Sequence, residues 1–234
     1  MKVYTLFMMG GHGSRFGSDI PKQFTMIENI PLFAYIVRKL SKQECINGIV
    51  IVVNPVWYDF TIEWIEKLDI GNIISVVVGG TTRSVSVFNG LKALEDIADD
   101  QDIVLMHDAT HPYVDQNGTI EVIKMIQEYG AATLVSLNYD TTYLTDDGNN
   151  IVEVVPRKNI VVGASPEGFK YKQIYNIYAN ATEADMETMT SVGAIAMKYN
   201  IPIKVVPTSI LNLKITYPED MKVLMALYKS YFFE

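Results

Sequence analysis

Residues 3–17 read VYTLFMMGGHGSRFG. A short run suited to a buried strand breaks off into a loop with four glycines and Arg15, and Lys22 follows shortly after. A glycine-rich loop between a first strand and the next helix turns several backbone N–H groups toward one point, and such a point binds phosphate oxygens. The simpler reading, a flexible connector with two solvated cations, stays open on this stretch alone.

Moving outward, short β-branched runs alternate with longer segments of helical period. This pattern predicts βαβ units around a largely parallel sheet. The predicted strands are 3–9, GIVIVVN (48–54), IISVVVGG (73–80), DIVLMHDA (102–109), AATLVSL (131–137) and IKVVP (203–207). The predicted helices cover PLFAYIVRKLSK (31–42), 56–68, 83–98, 118–130, segments around 167–180 and 183–199, and a last helix to about Tyr231. Between Asp140 and Gly163 the rhythm changes. Asp-Asp-Gly-Asn-Asn (146–150) separates two extended segments, which predicts a hairpin projecting from the sheet. In open α/β sheets ligands bind beyond the carboxyl ends of the strands. The loops after Met9, Val78 and Met106 lie at such ends.

Bulk properties narrow the classes. The chain has 234 residues, 49% apolar and 20% charged, and no linker-like stretch divides it, so a single domain is expected. A formal charge of −8 argues against a broad nucleic-acid face. It leaves room for a small anionic substrate held by a few local cations. One cysteine, Cys45, excludes an intramolecular disulfide and a cysteine-based zinc site. No apolar stretch approaches the roughly 18 residues of a membrane span, and no signal cleavage site follows the N-terminal run. A cytoplasmic location is the expectation.

Two familiar phosphate loops fail on residues. The P-loop spacing is absent, and the dinucleotide fingerprint would need glycine at Phe16 and an acid at Asn54. What the loop resembles is the nucleotidyltransferase signature Gly-x-Gly-x-Arg-x-Gly followed by Pro-Lys-Gln, here Gly11 to Gly17 and Pro21-Lys22-Gln23. Three further segments, GGTTRSVSVFNGL (79–91), VLMHDATHPYV (104–114) and LNLKITYPEDM (211–221), stand in matching order and spacing. Together they resemble the cytidylyltransferases of small polyol phosphates, the family of the 2-C-methyl-D-erythritol 4-phosphate and ribitol-5-phosphate enzymes.

The resemblance implies a Rossmann-like, three-layer nucleotidyltransferase fold with a hairpin arm. It implies a homodimer in which that arm, about 140–163, completes the partner's acceptor site. CTP, a polyol phosphate and Mg²⁺ are the implied ligands. Arg15, Lys22 and Lys214 are the implied catalytic cations, and Met9, Gly10, Gly11, His12 and Gly13 would wrap the nucleotide. Gly79, Gly80 and Ser86 would line the cytosine pocket, Arg83 would contact the nucleotide, and Asp108 would contact it through Mg²⁺. Thr141, Arg157, Ser165 and Thr190 match acceptor contacts. Plainer roles stand beside these: Lys214 as a surface lysine, Arg83 as a cation at a helix start, Asp108 as a loop cap, Arg157 as a solvated arm charge. His107 and His111 have the i, i+4 spacing of a metal pair, but their strand-to-loop setting speaks against one.

Several positions depart from the pattern. His111 replaces an arginine, Met9-Gly10 replaces Ala-Ala, Ser165-Pro166-Glu167 replaces Thr-Pro-Gln, and Ser191 and Leu211 stand where acids are usual. These changes concern mainly the acceptor half. They favour a ribitol-type or smaller polyol phosphate, glycerol phosphate included, over methylerythritol phosphate. A catalytically silent nucleotide-binding module is the alternative of another class; the joint presence of Arg15, Lys22, Asp108 and Lys214 argues against it.

Overall fold

The structure is a computed structural model and describes residues 1–11, 20–188 and 191–233. In chain order the elements are β1 (Val3–Met9), β2 (Met26–Ile27), β3 (Ile30–Pro31), α1 (Leu32–Ser41), β4 (Gly48–Val53), α2 (Tyr58–Leu68), β5 (Ile73–Val78), α3 (Arg83–Lys92), β6 (Ile103–Asp108) and α4 (Gln116–Tyr129). There follow β7 (Ala131–Leu137), β8 (Thr142–Thr145), β9 (Ile151–Val155), β10 (Val161–Lys170), α5 (Tyr171–Asn180), α6 (Glu183–Thr188), α7 (Val192–Lys198), β11 (Lys204–Pro207) and α8 (Pro218–Phe232).

Seven strands form the main sheet in the order β11-β7-β10-β6-β1-β4-β5. All neighbours are parallel except β10, which runs antiparallel to both β6 and β7. β1 sits near the middle and is buried along its whole length. Its alternate residues serve opposite faces, as the period of two requires. Phe7 and Met9, with Ile49, Ile51 and Val53 of β4, pack beneath α1 and α8. Tyr4, Leu6 and Met8, with Val50 and Val52, pack against Val87 and Leu91 of α3 and Ile174 and Tyr178 of α5. A third cluster joins Ile103 and Leu105 of β6 to Val122, Ile123 and Ile126 of α4. Helices therefore cover both faces, and the three-layer α/β expectation holds. Among the described residues no helix is long and apolar enough to cross a membrane.

Local signals set the element ends. Thr82 caps α3, its hydroxyl accepting from Val85 N–H at 3.2 Å, and Asp115 caps α4 through Gly118 N–H at 2.8 Å. Gly130 closes α4 at φ +92°, in the left-handed region where glycine is unstrained.

Two expectations are corrected. Residues 167–170 are not helical: they form the end of β10, and α5 begins at Tyr171. The cause is packing. A Cβ on Gly168 would stand 2.6 Å from Leu105 Cδ2 and 2.7 Å from Ile126 Cδ1, so this glycine lets the strand lie closely against β6 under α4. The helix predicted over 83–98 likewise ends at Lys92, after which tight turns lead into β6.

The hairpin is present as β8 and β9, antiparallel and separate from the main sheet. Gly148 takes φ +89° at its tip, and Asp146 Oδ1 accepts from the Asp147 and Asn150 N–H groups. Val161–Gly163, the far end of the predicted arm, instead pairs with β7 as the start of β10.

Candidate active site

A cleft of about 380 Å³ opens beyond the carboxyl ends of β1 and β6, where an open α/β sheet places its ligands. Met9, Gly10 and Gly11 enter it from β1, Lys22 and Gln23 from the following single-turn helix, and Gly80, Arg83 and Ser86 from the turn and helix after β5. Asp108 comes from the end of β6, and Lys214 from the loop ahead of α8. Five stretches far apart in the sequence thus converge. His12, Gly13, Arg15 and Thr190 lie outside the described residues.

The opening loop is held at its start by side chains. Gln23 Nε2 donates to the Met9 carbonyl at 3.2 Å and the Gly11 carbonyl at 3.0 Å. Asn54, at the end of β4, donates to the Gly10 carbonyl at 3.4 Å and accepts from Val56 N–H at 3.0 Å. Lys22 is buried at the cleft wall.

The second wall depends on close approach. Gly79 N–H donates to the Val53 carbonyl at 2.7 Å, and Gly80 N–H to Ser86 Oγ at 3.0 Å. Ser86 in turn donates to the Thr82 carbonyl at 2.8 Å. A Cβ on Gly79 would meet Ser86 Oγ at 2.9 Å, and one on Gly80 would meet Val85 Cγ1 at 2.1 Å. Both positions need glycine for room. Gly80 and Ser86 line the cleft; Gly79 supports them from beside it.

Asp108 is the electrostatic centre. Arg83 Nη2 donates to its Oδ1 at 2.9 Å, and Lys214 Nζ lies 3.4 Å from its Oδ2. The same Arg83 nitrogen reaches Glu167 Oε1 at 3.2 Å. Burial alone would raise the Asp108 carboxyl, but Arg83 and then Lys214 outweigh it and hold the group well below the usual carboxylate range. Glu167 goes the other way: burial, with Asp108 nearby, lifts it despite Arg83. An ionised carboxylate has about four lone-pair positions, so two cations leave Asp108 capacity for a further ligand. One such carboxylate together with substrate phosphates is a suitable donor set for Mg²⁺.

His107 and His111 each set one ring nitrogen against a nearby polar group. His107 Nε2 lies 2.9 Å from the His111 carbonyl, and His111 Nδ1 lies 2.9 Å from Ser165 Oγ. Among the described residues no group of three or more His, Cys, Asp or Glu could hold a metal. Burial lowers His111 to about 4, with His107, Lys214 and Arg83 adding to the effect against Asp108. It is therefore neutral where the family pattern has a permanent cation.

Ser165 is buried behind Asp108, accepting from its N–H at 3.3 Å. Thr141 and Arg157 lie on the arm, joined by an Arg157 Nη2 to Thr141 Oγ1 bond of 3.1 Å, and do not line this cleft. Sequence reasoning passed over the Asn54 contact and the Arg83–Glu167 pair. Asn54 had appeared only as a missing acid, and nothing local tied Glu167 to a residue 84 positions earlier.

A family model described as 2-C-methyl-D-erythritol 4-phosphate cytidylyltransferase matches residues 3–229. The enzyme of that name from Thermotoga neapolitana is 34% identical, over 97% of this chain and 96% of that protein. A ribitol-5-phosphate cytidylyltransferase from Streptococcus agalactiae is 29% identical, over 98% of this chain and 96% of its own length. Among solved structures, the 4-diphosphocytidyl-2C-methyl-D-erythritol synthase of Anaerococcus prevotii shares the fold with a TM-score of 0.80. Its identity is 23%, over 97% of this chain and 96% of that one. A family model matched along nearly the whole chain and a relative of this identity show that the chain belongs to the 2-C-methyl-D-erythritol 4-phosphate cytidylyltransferase family.

Proposed function

We propose that the acceptor is a small polyol phosphate of the ribitol 5-phosphate or glycerol phosphate type. The acceptor phosphate attacks the α-phosphorus of CTP, pyrophosphate leaves, and a CDP-polyol forms. The single observation that carries the transfer reaction is the convergence of Lys22, Arg83, Asp108 and Lys214 on one cleft, in a chain of this family.

A phosphate monoester has a second pKa of about 6 and is mostly dianionic near neutrality, so attack needs no general base. What remains for the protein is positioning and charge stabilisation. Lys22 and Lys214, with Arg15 beyond the described residues, meet negative charge on the transferring and leaving phosphates. Gly10 and Gly11 offer backbone N–H groups to the triphosphate. Gly80 and Ser86 shape the base pocket, and Arg83 orients Asp108. Mg²⁺, when bound by Asp108 and the triphosphate, supplies Lewis-acid charge neutralisation at the phosphoryl oxygens.

The preference for a ribitol-type acceptor rests on the altered acceptor half. His111 is neutral where an arginine is usual, and Glu167 occupies an amide position and engages Arg83. Methylerythritol phosphate is the second reading, favoured by the 34% identity to an enzyme named for it. The dimer belongs to the same proposal. Tyr143, Leu144, Ile151, Val152 and Val154 of the arm are exposed, and a second copy of the arm's chain would cover them and bring Arg157 to its acceptor phosphate. We place the enzyme in the cytoplasm, where CTP and a single reduced cysteine fit together.

The test is pyrophosphate release from CTP and Mg²⁺ with ribitol 5-phosphate, glycerol 3-phosphate and methylerythritol 4-phosphate in separate reactions. Release with either of the first two supports the proposal. Turnover of methylerythritol phosphate alone selects the second reading, and no release with any acceptor speaks for a silent module.

A further inference from the structure

The helix that carries Lys22 is only Lys22–Phe24, one 3-10 turn. A turn of this length has almost no stability of its own, because nucleation fixes several dihedrals for one or two hydrogen bonds. Its position must be imposed from outside. Gln23 fixes it to the start of the loop, as described above. The other anchor is Phe24, which is almost fully buried and stacks on Trp57 with ring centroids 4.3 Å apart and planes within 11°. Phe60 closes the group edge-on, 6.0 Å from Phe24 and 5.5 Å from Trp57.

Trp57 is itself firmly placed. Its N–H donates to the Asn54 carbonyl at 2.9 Å, and its own carbonyl accepts from the fully buried Thr61 hydroxyl at 2.7 Å. Asn54, three residues earlier, holds the Gly10 carbonyl. One short segment after β4 therefore grips the opening loop at both ends: Gly10 on the way in, Phe24 on the way out. No residue between Pro55 and Trp57 lines the cleft.

We propose that Trp57, with Asn54, is a positioning residue for the transfer reaction, a brace that fixes Lys22 against the phosphates through the Phe24 ring stack. This rests on the reading of Lys22 as a catalytic cation. A displacement of about 1 Å in a catalytic group can cost on the order of a hundredfold in rate, and loss of one charge-stabilising donor about 10²–10³-fold. Loosening the brace should therefore lower kcat by roughly ten- to a hundredfold, with CTP affinity little changed.

The experiment is a double-mutant cycle on kcat, using CTP, Mg²⁺ and the acceptor that supports turnover, with Trp57→Leu, Lys22→Ala and the pair. Expected are a reduced kcat for Trp57→Leu, near-normal kcat for Trp57→Phe because a ring still stacks on Phe24, and no further loss when Trp57→Leu is added to Lys22→Ala. A folded Trp57→Leu enzyme with unchanged kcat overturns the proposal, as does a loss that persists in full in the Lys22→Ala background. If Trp57→Leu does not fold, Asn54→Ala enters the same cycle and the same two outcomes decide. A Lys22→Ala enzyme with normal kcat refutes the catalytic reading of Lys22 itself, and that single variant separates the two failures.

Discussion

Acidification should destabilise this protein through His111 before any carboxylate titrates in that direction. The residue is 6% exposed, its Nδ1 lies against Ser165, and its Nε2 has no hydrogen-bond partner among the described residues. Burial brings it to about 4 from the ordinary 6.5. A cationic group with a lowered folded pKa is protonated first in the unfolded chain, so stability is intact above about pH 6.5 and falls as pH drops toward about 4. Worked from those two values, the loss between pH 7 and pH 5 is about 2 kcal/mol. His107, also lowered chiefly by burial, adds in the same direction. Glu167 opposes: burial raises its folded pKa, so its protonation as pH falls favours the folded state. Asp108 is lowered, and its contribution disappears only below the usual aspartate range. The measurement is urea unfolding at pH 7 and pH 5 for the wild type and for His111→Gln. The variant loses the Ser165 contact at both pH values, so the comparison is between slopes. Wild type should lose about 2 kcal/mol more than the variant over this interval. Equal losses would refute the assignment of a buried, neutral His111.

Three further outcomes are expected. Gly80→Ala should destabilise by about 1–3 kcal/mol through overpacking and weaken CTP binding in urea melts and CTP titrations, since its Cβ would stand 2.1 Å from Val85 Cγ1; adding Val85→Ala should restore little, because Val85 Cβ itself would still lie 2.5 Å away. CTP should be used far better than ATP or GTP in pyrophosphate-release assays, because a purine would have to displace the backbone at Gly80, which lines the cleft; comparable rates would remove the base assignment. Arg157→Ala should raise KM for the acceptor and leave that for CTP nearly unchanged, since Arg157 lies on the arm away from the cleft. Mixed with Lys22→Ala it should regain part of the activity, and no regain after proven subunit exchange would rule out a shared site.

The parallel core was legible because its strands carry the signal themselves. GIVIVV and VYTLFMM are buried on both faces, and only uninterrupted apolar runs survive there. β10 was not, because its fate depends on contacts rather than composition. Glu167, Gly168 and Phe169 form a strand because β6 and β7 flank them and Gly168 has no Cβ to strike Leu105. The candidate site divides in the same way. Lys22, Gly80, Asp108 and Lys214 were found through motifs of fixed spacing, and the fold brings them into one cleft. The brace at Asn54 and Trp57 was invisible, since its partners Gly10 and Phe24 are distant in sequence and the stack leaves no pattern. Glu167 was seen as an anomaly, and only the folded chain ties it to Arg83.

The place of β1 between β4 and β6 governs how this molecule comes into being. Val3 donates to Asn47 and Lys2 to Asp102, partners 44 and 100 residues further along the chain. β1 is thus a central strand whose neighbour on one side, β4, ends at Val53 and whose neighbour on the other, β6, ends only at Asp108, and Lys214 arrives later still. Closing such long loops delays the reward for each contact. Meanwhile VYTLFMM is an exposed apolar segment of high β-propensity, open to pairing with its copies on neighbouring nascent chains. Shielding these seven strand residues until β4 and β6 have emerged would remove that competing route.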